Sequence, residues 1–196
     1  MTDIMSPIEQ ALTHAEDVLE ALDHSAIAEA IPFVERAVKV WRAGSKFRDA
    51  MLARKLLSFI SDPSLQNPDT RAQMRERAKS EDGRKIGEML FLVLERLNDL
   101  QKPEWLAKVY AAYLAGEFMA TDFRRVTSAI DIAFADDLNE LINSPETLLS
   151  TEPWLKNLYP SGLTELQVLS TFGNSAMRYN VSPWGMQFKQ AVRNRS

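Results

Sequence analysis

The spacing of apolar residues constrains the fold of this chain most strongly. They recur every three or four positions through most of the first 143 residues, which places them along one side of an α-helix. Prolines and glycines divide this pattern into segments, as where "IPFVERAVKVWRAG" stops at Gly44 and where "SDPSLQNPD" interrupts the pattern after residue 60. The sequence therefore predicts a mainly α-helical protein, a bundle of about seven or eight helices.

The predicted helices differ in how much of their surface is apolar. The segment 84–100 has almost no polar face in its middle and is expected to be the central buried helix, whereas the segment from Pro68 has almost no apolar stripe. A helix of about twenty residues is expected from an N-cap at Thr121 to a turn at Pro145. The other helices are predicted at 7–22, 32–43, 46–60 and 103–116.

The last fifty residues have a different pattern. A short helix "EPWLKNLY" precedes two alternating segments, "GLTELQVLS" and "AMRYNVSP", and "PWGMQFKQAVRN" follows them. This order predicts a β-hairpin followed by a short helix, which is similar to a winged-helix module. We expect a helical bundle domain over 1–145 and a C-terminal module over 146–196 that packs on it.

Charge is distributed unevenly along the chain. The net charge is −4, yet residues 36–85 carry thirteen basic and six acidic side chains, and residues 1–35 carry eight acidic and no basic ones. Two helices around Gly44 are expected to form a hairpin with a basic outer surface, the predicted partner-binding surface. Its residues are Arg36, Lys39, Arg42, Lys46, Arg48 and Lys55. A solvated face, an acidic protein, nucleic acid and an anionic membrane surface remain alternative interpretations.

No recognised catalytic or metal-binding pattern is present. The chain has no cysteine, its two histidines, His14 and His24, lack metal spacing, and no glycine-rich phosphate loop occurs. No catalytic, cofactor-binding or metal-ligating residue is predicted, and no cofactor is expected. Charges interrupt every apolar stretch, and the N-terminus lacks the features of a signal peptide, so we expect a cytoplasmic protein without a membrane span.

Three stretches together resemble a known group of proteins: "IPFVERAVKVWRAGSKFRDAMLARKLLSFISD", "GEMLFLVLERLNDLQKPEWLAKVYAAYLAGE" and "DFRRVTSAIDIAFADDLNEL". They are similar to a family of helical bacterial and prophage proteins without an assigned biochemical function. Its nearest named relatives are abortive-infection-like proteins of phage defence. The resemblance covers roughly residues 31–142 and implies a cytoplasmic interaction role rather than catalysis. The charged residues Glu35, Arg36, Lys39 and Arg42 replace an apolar helix of that family, which argues against a membrane role.

The favoured interpretation is a non-enzymatic helical interaction protein, of prophage or phage-defence origin, that binds a protein partner or a second copy of itself. The helix from Pro68 is a second candidate contact surface. One alternative is a nucleic-acid-binding or transcription-regulating protein that uses the C-terminal module, and the other is a hydrolase without a recognisable motif. The phosphate contacts in the first alternative would be Lys156, Arg178, Lys189, Arg193 and Arg195. This module is too weakly basic for a duplex, so we expect it not to bind DNA. It should instead pack Trp154, Leu158, Tyr179 and Trp184 against the helical body as a structural cap, or serve as a protein contact.

Overall fold

The computed structural model describes residues 47–145, 152–171 and 174–195. This part of the chain is mainly helical, with a small two-stranded antiparallel sheet near the C-terminus and a helix after it, which confirms the predicted fold class. The helices are α1 (Phe47–Ser61), α2 (Pro63–Gln66), α3 (Pro68–Ala78), α4 (Glu81–Arg96), α5 (Lys102–Leu114), α6 (Ala120–Ile132), α7 (Ala135–Asn143), α8 (Pro153–Asn157) and α9 (Pro183–Arg193). The strands are β1 (Thr164–Thr171) and β2 (Asn174–Val181). The helices predicted at 7–22 and 32–43 lie outside the described residues.

The described chain divides into two compact units between Glu104 and Trp105, a division that falls within α5. The segment 152–195 belongs to the second unit, where α8 and α9 contact α7 and α9 also contacts α6. Inside this unit, the segment 152–195 packs on α6 and α7. The predicted domain boundary at 145/146 stays a prediction.

In the first unit α1 packs on α4. Leu56, Phe59 and Ile60 of α1 are buried, as are Leu90 and Leu94 of α4. The expectation of a central buried helix holds for this face of α4. It is wrong for the opposite face, where Leu92 is 51% exposed.

Helix α3 is the polar helix expected from Pro68. Asn67 caps it by accepting a hydrogen bond from the backbone N–H of Asp69 at 2.9 Å. Met74 is its only buried residue, so it packs through few contacts. On its exposed side the ammonium of Lys79 lies 2.8 Å from a carboxylate oxygen of Glu76 and lowers the pKa of that carboxyl.

The second unit has an aromatic core. Tyr113 of α5 stacks on Phe123 of α6 with ring centroids 4.6 Å apart, and Tyr110 lies 5.8 Å from the same ring. Trp105 meets Phe188 of α9 edge to face at 6.5 Å. This core therefore includes Trp105, Tyr110 and Tyr113, all of them buried.

The single helix predicted from Thr121 to Pro145 is wrong, because α6 and α7 are separate helices. Ala133 and Phe134 adopt extended backbone angles between them, and α6 begins after Met119 without a side-chain cap. A continuous helix would align Phe134 with Ile130 and bury it. The break leaves Phe134 63% exposed while Leu138 and Leu141 of α7 are buried. The apolar pattern fits either arrangement, so it could not reveal the break.

The hairpin has the predicted alternation, and its register pairs Leu166 with Tyr179 and Val168 with Met177. Paired residues share one face of the sheet. Near the base of the hairpin Thr164 is 2% exposed, whereas Val168 and Met177 are 54% and 68% exposed. Burial of this apolar face therefore decreases with distance from the helices.

Candidate functional site

The predicted partner-binding surface is only partly described. Arg36, Lys39, Arg42 and Lys46 lie outside the described residues, and Arg48 is placed only as a residue of α1. Its role in binding stays a prediction.

Lys55 is the exception, since its expected place on the outer surface is wrong. It is 7% exposed, and its ammonium donates a hydrogen bond to the backbone carbonyl of Glu95 at 2.9 Å. The physical reason is that Lys55 lies one turn before buried Phe59 and so shares its side of α1. Its ammonium reaches the carboxyl end of α4, where carbonyl groups favour a positive charge.

Two of the five residues proposed as phosphate contacts are occupied by structural interactions. Lys189 is 1% exposed, and Arg195 forms an ion pair with Glu117. Lys156, Arg178 and Arg193 are exposed, as expected. The expectation that Lys189 binds phosphate is therefore wrong, because a buried ammonium cannot reach a duplex.

The second unit contains an open cleft with a volume of about 970 Å³, within the range of ligand-binding pockets. Helix α6, the turn Tyr159–Ser161, the start of β1 and the start of α9 form its walls. The side chains that bring charge or aromatic surface to it are Arg124, Arg125, Tyr159, Glu165 and Trp184.

Trp184 is held from two sides in this cleft. Its indole N–H donates a hydrogen bond to the carboxylate of Asp122 at 3.1 Å, and the guanidinium carbon of Arg125 lies 4.5 Å from its ring centroid. These contacts fix the ring against α6, and the cation–π contact also restricts the arginine. The module's expected packing through Trp184 is confirmed, as is that of Leu158, which is fully buried.

Two hydrogen bonds from Ser182 hold the residues after the turn against the start of α9. The amide of Ser182 donates to the carbonyl of Leu163 at 3.0 Å, and its hydroxyl donates to the carbonyl of Gly162 at 2.6 Å. Gly162 has φ +79°, a left-handed conformation that glycine adopts without strain. On the next wall Tyr159 packs edge to face with Tyr179 of β2 at 5.7 Å. Hydrogen bonds and a ring contact therefore hold the aromatic side of the cleft in place.

Three hydroxyl groups of the cleft, those of Ser161, Thr164 and Ser182, are used structurally. Ser161 donates to the carbonyl of Leu158 at 2.6 Å, and Thr164 donates to the carbonyl of Leu155 at 2.7 Å. The Ser182 hydroxyl additionally caps α9 by accepting from the amide of Gly185 at 3.1 Å. In residues 47–145, 152–171 and 174–195, no group of three acidic or histidine side chains is arranged to hold a metal ion.

Sequence reasoning missed this cleft. It identified Trp184 as a packing residue and gave no role to the adjacent pair Arg124 and Arg125. The available signal was "DFRRVTS", where two adjacent arginines fall on the polar face of α6. Their meeting with Trp184, which lies about sixty residues away, depends on tertiary packing.

Comparisons of the chain with protein-family models, with curated proteins and with solved structures found no match. The resemblance to helical prophage proteins therefore stays an expectation. Within the described part of the chain, no helix is long and apolar enough to cross a membrane.

Proposed function

We propose that this protein is a non-enzymatic interaction protein that holds part of a partner protein in the cleft of its second unit. The observation that supports this proposal is the composition of the cleft, in which an exposed arginine pair lies beside a fixed tryptophan. Arginine, tryptophan and tyrosine are the residue types enriched at the energetic centres of protein interfaces.

The cleft also has the rigidity that such a surface needs. Trp184 is hydrogen-bonded to Asp122 and its ring packs against Arg125. Little side-chain freedom of Trp184 is therefore lost when a partner binds. Hydroxyl groups that donate to backbone carbonyls are tied to the fold, which favours binding over nucleophilic catalysis.

Site-specific photo-cross-linking in the native host tests this proposal. A photoreactive amino acid replaces Ser128, an exposed residue that lines the cleft, and a matched variant carries it at Gln190, an exposed residue of α9 that does not line it. We expect one protein to cross-link through position 128 and not through position 190. The purified pair should then bind, and Trp184→Ala should weaken that binding.

Two results would contradict the proposed function. If the same proteins cross-link from both positions, or if Trp184→Ala folds and binds the recovered protein as tightly as the unchanged chain, the cleft is not the contact surface.

A further inference from the structure

The charges of the cleft indicate what kind of segment fits it. Arg124 and Arg125 are exposed and line the cleft on the α6 side. Within the described part of the chain, neither forms an ion pair. Asp122, the nearest acidic residue in sequence, accepts a hydrogen bond from the indole N–H of Trp184 through Oδ1 and forms no ion pair with either arginine.

Arg125 is positioned to bind a planar anion. A guanidinium packed over a ring keeps the N–H donors at its edge available, and these match the two oxygens of a carboxylate. The amino end of α9 does not serve this purpose. Its first position is Pro183, which has no N–H, and the hydroxyl of Ser182 already occupies the amide of Gly185.

The turn Tyr159–Ser161 and the start of α9 bring apolar and aromatic surface to the cleft, with Tyr159, Pro160, Pro183 and Trp184. Glu165 is the one acidic residue in its lining, at the start of β1. A ligand that fits therefore carries negative charge toward α6 and apolar side chains toward the turn and α9, with no acidic group near β1.

A protein segment fits these features better than a nucleic acid. A nucleic acid needs a track of several basic residues along its phosphates. Lys189 and Arg195 of the same unit do not extend such a track, because one is buried and the other is paired with Glu117. The chain as a whole carries a net charge of −4.

We propose that the occupant of the cleft is an acidic segment of a partner protein. Its carboxylates bind Arg124 and Arg125, and its apolar side chains cover Trp184 and Tyr159. This proposal rests on the proposed function and adds to it the chemical class of the partner.

Selection from a random linear peptide library with the purified full chain tests it. We expect enrichment of peptides in which Asp or Glu lies near an apolar or aromatic residue. A labelled peptide from this selection and its twin with Gln and Asn in place of the acids are then compared by fluorescence anisotropy. The twin should bind at least about tenfold more weakly, since hydrogen bonds between charged groups are lost.

Protein variants complete the test. Arg124→Glu and Arg125→Glu should each weaken binding of the acidic peptide about tenfold or more. Arg193→Glu, a change of an exposed arginine that does not line the cleft, should have little effect. Circular dichroism confirms that each variant is folded, and Arg124→Glu keeps the test valid if loss of the Arg125 contact with Trp184 disturbs the cleft.

Several results would overturn the inference. They include selection of peptides without acidic residues, equal binding of the amide twin, and tighter binding of single-stranded RNA or duplex DNA that the same two variants abolish. A cross-linked partner whose segment at position 128 lacks acidic residues would also contradict it, while the proposed function would stand. If neither cross-linking nor selection yields a protein ligand, both proposals fail.

Discussion

Lys189 shows how a single buried charge can connect two helices. Its ammonium donates to the carbonyl of Ser144 at 2.5 Å, to the Ser144 hydroxyl at 2.9 Å and to the carbonyl of Pro145 at 3.0 Å. These oxygens follow the carboxyl end of α7, where backbone carbonyls lack helical partners. The ammonium of one lysine in α9 thus donates hydrogen bonds to the oxygens that follow the carboxyl end of α7.

We predict that Lys189→Met lowers the free energy of unfolding by about 2 to 4 kcal/mol, because two buried oxygens of Ser144 and the carbonyl of Pro145 lose their charged donor. Urea denaturation measures this change. Lys156→Met, which removes an exposed lysine from the same unit, serves as the control and should change stability little. Equal stability of the two variants would show that the ammonium does not hold α7.

At Gly185, close packing and helix propensity predict opposite changes in stability when alanine replaces glycine. An added Cβ would lie 2.1 Å from the carbonyl oxygen of Leu163 and 2.8 Å from Val181 Cγ1. Because the first contact is backbone, the start of α9 would have to move away from the turn. Helix propensity alone would make alanine more stable than glycine by about 1 kcal/mol.

We therefore expect Gly185→Ala to destabilise the protein by about 1 to 3 kcal/mol, against the trend of propensity. Thermal denaturation checks this, with Gln190→Ala, a change at an exposed position of the same helix, as the control. A gain in stability from Gly185→Ala would mean that α9 does not approach Leu163 so closely.

At the scale of elements, the apolar pattern is compatible either with one continuous helix or with α6 and α7 as separate helices. Ile130 and Phe134 are four residues apart, so one continuous helix would bury both on one face. In the structure Ile130 is fully buried and Phe134 is 63% exposed.

Alanine substitutions distinguish these descriptions. Ile130→Ala should cost about 2 to 4 kcal/mol through the cavity that it leaves, whereas Phe134→Ala should cost less than about 1 kcal/mol. Urea denaturation of both variants provides the comparison. Similar large losses would support the continuous helix that the apolar pattern first indicated.

At the scale of the whole molecule, the apolar periodicity of the sequence predicted the helices and strands but not which residues of different elements contact one another. The spacing around Phe59 and Leu90 was sufficient to predict buried faces, and alternation around Val168 was sufficient to predict the hairpin. Lys55 and Lys189 were expected on the surface because lysine usually is. Their burial depends on carbonyl groups at the ends of other helices, which no local pattern contains.

The cleft shows the same limit for function. Arg125 and Trp184 belong to separate helices, and only the folding of the turn and α9 against α6 brings them within 4.5 Å. Adjacent arginines in a sequence are usually part of a solvated face. Their proposed role in binding rests on the ring and the cleft beside them, which the sequence alone does not place.

The central claim is that this cleft is the contact surface of the protein. The most direct test is a two-dimensional NMR spectrum of the indole N–H groups of the four tryptophans, in which Trp184→Phe identifies the Trp184 signal. Addition of the selected peptide should shift or broaden the Trp184 signal and leave that of Trp105, a residue only 7% exposed, unchanged. A Trp184 signal that stays in place while the peptide reaches saturation would contradict the claim.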